Sequence, residues 1–173
     1  MRVEDLHLQP VADDVARRLV ARFGDLIVFE RGLASPSEQW AAMAKNVAGP
    51  PLRRDWIRRT YLASPVVNAM GTAVESPALA NDAGRDAIAA TLAAVAARFS
   101  LAALEEAFPH CRGDAFDLRP ILARHGLYVA AWLKAEARAK GGRFLMKEGS
   151  LDRWHWNAPF VPQGVMAPPS VLP

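Results

Sequence analysis

Side chains able to do chemistry concentrate in two short stretches. In the first, His110-Cys111-Arg112-Gly113-Asp114, a base, a nucleophile and a carboxylate stand side by side between Pro109 and Asp117. The stretch reads as a polar loop, the kind of segment on which catalytic groups are often carried. Neighbouring side chains usually diverge, so His110 and Cys111 form a weak catalytic pair, and the Arg-Gly-Asp tripeptide reads as a turn. In the second stretch Asp152 lies three residues before His155. On a helix the two would share a face, as an acid/base or metal-ligand pair requires. Two ligand candidates do not make a metal site. With one cysteine and histidines scattered at 7, 110, 125 and 155, neither a metal nor a cofactor is expected. A Walker-type loop, a dinucleotide glycine fingerprint, a His-Glu-x-x-His motif and a nucleophile elbow are all absent, which leaves the commonest enzyme classes unsupported.

Trp154 and Trp156 flank His155, and such an aromatic group serves as a structural anchor at a core edge, an interface hot spot or a stacking platform. Behind it runs a tail, 158–173, with Pro159, Pro162, Pro168, Pro169 and Pro173, and no charge follows Arg153. Prolines exclude regular helix and central strand there. Apolar residues want cover, so the tail either folds back on its own domain or docks in extended form on a second chain. In the docking reading Trp154, Trp156, Phe160, Val161 and Met166 make the contact.

The densest basic stretch, 52–61, interleaves Arg53, Arg54, Arg58 and Arg59 with Trp56 and Tyr61. Helical spacing puts Arg54, Arg58 and Tyr61 on one face, as a surface for phosphates or another anion would need. A solvated face with Trp56 buried behind it is the simpler reading. Ile121 to Leu133, with Gly126 in a turn, is similar to a helix-turn-helix, although Tyr128, Ala130, Ala131 and Lys134 are poor base readers and a plain helical hairpin is commoner.

Helices must supply the frame. Val11, Val15, Leu19 and Phe23 recur every four residues up to Gly24. Ser35-Pro36-Ser37-Glu38 spells a capping box ahead of Trp40, Met43 and Val47. Ser64-Pro65 opens a short segment that Gly71 can close. Residues 82–99 form the clearest helix, with Ile88, Leu92, Val95 and Phe99 on one face. Ser100 caps a further turn to Phe108, and 118–140 is helical with a break at Gly126. The run 26–29 is the only strand expected.

The expected fold is therefore mainly α, a compact domain of five to seven helices over 1–153. An aromatic anchor and extended Pro-rich C-terminal tail occupy 154–173. Acidic residues at positions 4, 5, 13 and 14 do not suit an export signal, and no run is long and apolar enough to span a bilayer, so a cytoplasmic location with no membrane partner is expected. With 21 basic against 18 acidic residues, the net charge of +3 does not by itself imply nucleic acid. The sequence favours a non-enzymatic subunit or adaptor of a larger assembly, with a protein partner or homo-oligomer docking through the tail. Nucleic-acid binding is the alternative, followed by a small enzyme with a site around His155 or His110.

Overall fold

The computed structural model describes residues 1–49, 51–121, 124–146 and 153–159. Local signals place most of the helices. Pro10 opens α1 (Pro10–Phe23), which buries Val15, Ala16 and Leu19. Ser35 and Glu38 exchange both bonds of the capping box at the start of α2 (Pro36–Val47), whose buried face carries Trp40, Met43 and Val47. A short α3 (Trp56–Thr60) leads to α4 (Pro65–Glu75), where the Ser64 hydroxyl accepts from the Val67 N–H. Then come α5 (Arg85–Ala96), α6 (Leu101–Ala107), α7 (Pro109–Arg112) and α8 (Arg124–Lys140).

The mainly α expectation holds, with a sheet larger than one strand added to it. Strands β1 (Phe29–Arg31), β2 (Ala115–Leu118), β3 (Arg143–Leu145) and β4 (Trp154–Asn157) form an antiparallel sheet in the order β1-β2-β4-β3. Three corrections follow. The stretch 109–117 is not a polar loop but a helical turn and a fully buried strand. The helix after Pro65 runs on through Gly71, which packs against the Arg58 side chain. Gly126 lies inside an unbroken α8, where the Ile121 carbonyl fills the space a Cβ would need. That glycine serves close packing rather than a turn, which removes the basis of the helix-turn-helix reading.

Two apolar clusters divide the molecule. One joins α2 to α7 around Trp40, Met43, Ile57, Met70, Ile88 and Phe108. The other packs α1 and α8 on one face of the sheet, through Leu19, Val129 and Leu133 against Phe29, Phe116, Trp154 and Trp156. Side chains alternate across a strand. Phe116 and Leu118 of β2 therefore enter this second core together with Trp154 and Trp156 of β4, and Phe116 stacks on its register partner Trp156 at 5.3 Å. The same alternation turns Asp117 and His155 to the opposite face.

Candidate metal centre

Asp117 and His155 are register partners on adjacent central strands, and α7 delivers His110 above them. Gly113 makes the delivery work: at φ 80° it caps α7 in the left-handed region and reverses the chain into β2, with the His7 carbonyl too close for a side chain. His110 Nε2, His155 Nδ1 and Asp117 Oδ1 then converge, at 3.2 Å between the nitrogens and 3.1 and 2.9 Å from each to the oxygen. All three residues are buried, at 3%, 7% and 0% exposure for His110, His155 and Asp117.

Such a triangle is not a set of three hydrogen bonds. The His110 Nδ1–H donates to the Gly32 carbonyl at 2.8 Å, so in a neutral ring Nε2 presents a bare lone pair to the carboxylate. A metal ion satisfies all three lone pairs at once. Ligands of an ion bound at zinc-like distances stand about 3.3 Å apart in a tetrahedron and about 3.0 Å in an octahedron. The observed spacings bracket the octahedral figure and approach the tetrahedral one. The outward bond from His110 to a backbone carbonyl is also the support that metal-binding imidazoles usually have. Burial raises the Asp117 carboxyl's pKa, but the positive charge and donated hydrogen bonds that the His110 and His155 rings offer when protonated more than offset this and hold it well below the ordinary carboxylate range. A metal ion in the same place would supply the positive charge instead. The group is an anion, as a ligand must be.

Of the three residues, His155 reaches a cavity, which has a volume of about 260 Å³ and also meets Tyr61, Ser64, Glu105, Glu106 and Arg143. Arg143 and Leu145 of β3 contribute to its wall, and among the described residues β3 is an edge strand, paired only with β4.

Three side chains separated by 7, 38 and 45 residues thus form a group that could hold a metal ion, where the sequence suggested none. Sequence reasoning found His110 and His155 but treated them as unrelated, and it missed Asp117. A trace of the site lay in the alternation of Ala115-Phe116-Asp117-Leu118 and Trp154-His155-Trp156, too short in each case to mark a strand. Burial pushes the Cys111 thiol up to about 11, with Arg31 only partly offsetting this, which disfavours the thiolate that a nucleophile needs. Trp154 and Trp156 are inside the protein's own core, while Phe160, Val161 and Met166, and Asp152 too, lie outside the described residues. His155 stands on a strand, so helical spacing does not relate it to Asp152.

The four arginines do not form one anion surface. Arg54 donates to the carbonyls of Val74, Ser76 and Leu79, and to Asn81, closing the end of α4. Arg58 binds Glu75, Asn68 and Thr72. Arg59 pairs with Asp55 at the surface, and Arg53 is exposed. Among the described residues no helix is long and apolar enough to cross a membrane. The chain matches no family model, no curated protein and no solved structure.

Proposed function

We propose that the protein is a metal-dependent hydrolase, with zinc held by His110, Asp117 and His155 and an extended peptide as substrate. The observation that carries the reading is the buried triangle of two imidazole nitrogens and one carboxylate oxygen beside an open cavity. Two histidines and a carboxylate, with the remaining position open, are the ligand set of a catalytic rather than a structural zinc site. Zinc so held polarises a carbonyl and brings the pKa of a bound water to about 7.

The chain's own residues do the rest. The Gly32 carbonyl keeps the His110 ring in one tautomer and orientation, and the apolar face behind β2 and β4 holds the ligands rigid. A peptide class is supported by β3: an edge strand in a cavity wall offers its outer backbone groups to an extended chain, aligning an amide bond beside His155. The general base is assigned to Glu105 or Glu106, the carboxylates that line the cavity with His155.

This reading takes precedence over the adaptor, whose tail contacts lie beyond the described residues and whose anchors Trp154 and Trp156 are buried. The test is metal analysis of the purified protein, followed by hydrolysis of a mixed peptide library with and without chelator. Stoichiometric zinc, lost in His110→Ala and His155→Ala, and chelator-sensitive cleavage are expected. A folded protein that takes up no zinc sinks the metal reading. Bound iron with oxygen consumption would replace hydrolysis by oxidation, since the same ligand set also serves iron oxygenases.

A further inference from the structure

We propose that Arg153, clamped by Glu30, is a positioning residue that restricts Asp117 to one metal-facing oxygen; this rests on the metal-centre reading above. The two oxygens of Asp117 have separate partners. Oδ1 faces both histidines, whereas Oδ2 accepts from Arg153 Nη1 at 3.4 Å. Arg153 is itself fixed, because its Nε donates to Glu30 Oε2 at 3.0 Å. The other oxygen of Glu30 lies 3.5 Å from Arg119 Nε.

Glu30 belongs to β1, Asp117 to β2, and Arg153 directly precedes β4, so the clamp crosses three neighbouring strands. It is half-buried, where a charged hydrogen bond is screened less than at the surface. An oxygen engaged by a guanidinium is withheld from the metal, so Asp117 binds through one atom and the positions facing the cavity stay open. Glu30 offsets much of the Arg153 charge, so the pair acts on the ligand chiefly by orienting it.

The experiment uses the full-length protein with zinc alone and with cobalt(II) as a spectroscopic substitute. Zinc affinity is measured by chelator competition and coordination number by the intensity of the cobalt visible bands, for the wild type, Arg153→Met, Arg153→Lys and Glu30→Gln. Arg153→Met is expected to bind zinc about 10- to 100-fold more weakly. Its cobalt bands should lose intensity as the freed oxygen raises the coordination number. Arg153→Lys, which keeps charge without the fork, should recover part of both. An Arg153→Met protein with wild-type affinity and cobalt spectrum overturns the proposal. Should that variant not fold, Glu30→Gln decides alone: an unchanged cobalt spectrum overturns it and a weakened one supports it. Wild-type protein that binds neither metal would instead remove the metal-centre reading itself.

Discussion

Glu105→Gln and Glu106→Gln separate the two jobs that carboxylates do at this centre. Removing the base should abolish peptide turnover while leaving zinc stoichiometry intact, whereas Asp117→Asn should lose both. Both glutamates line the cavity, so the base is the one whose glutamine variant loses turnover. Two glutamine variants that both turn over at the wild-type rate would show that neither is the base. Gly113 can be tested in the same way. A side chain at φ 80° costs about 1–2 kcal/mol, and here it would also press on the His7 carbonyl. Gly113→Ala should therefore lower stability in a denaturant titration and, by shifting His110, weaken zinc binding as well.

At the scale of elements, the capping box of α2 is a local device with a predictable cost. Ser35→Ala removes the acceptor for the Glu38 N–H and should cost about 1 kcal/mol in chemical denaturation. Hydrogen bonds from Ser35, side chain first and backbone second, hold the Glu38 carboxyl below its ordinary value. A carboxylate depressed in the folded state stabilises above its unfolded pKa and loses that contribution as pH falls through the folded value. Glu38→Gln should thus destabilise at neutral pH and become neutral in acid. An effect of equal size at both pH values would mean the charge is irrelevant. The edge strand makes a prediction of its own: peptides N-methylated on either side of the cleaved bond should lose kcat/KM, because they cannot complete a ladder along β3. Retained cleavage of such peptides would rule out strand addition.

For the whole molecule, the ligands come from α7, β2 and β4, which tie the helical cluster to the sheet cluster. Metal binding should therefore stabilise the fold globally. Zinc at a thousand times its Kd adds about 4.1 kcal/mol, or roughly 8–16 °C in Tm for a chain of this size, reversed by chelator. A melting curve indifferent to zinc would contradict it. The helix starts at Ser35-Pro36, Ser64-Pro65 and Ser100 were legible in the sequence because a cap is decided within four residues, by which backbone N–H a hydroxyl reaches. So were the buried stripes of α2 and α5, which follow from helical periodicity alone, and half of that of α1, where Val15 and Leu19 are buried but Val11 is exposed. The sheet was not. Its strands are three or four residues long and come from 29–31, 115–118, 143–145 and 154–157, too short to show a period and paired only across long separations. The sequence by itself determined mainly helical architecture and the presence of two histidines in chemically suggestive surroundings. Only the tertiary structure decided that His110, Asp117 and His155 share one centre. Their meeting depends on antiparallel register between distant strands, and that register is selected by the burial of Phe116 and Trp156 on the opposite face.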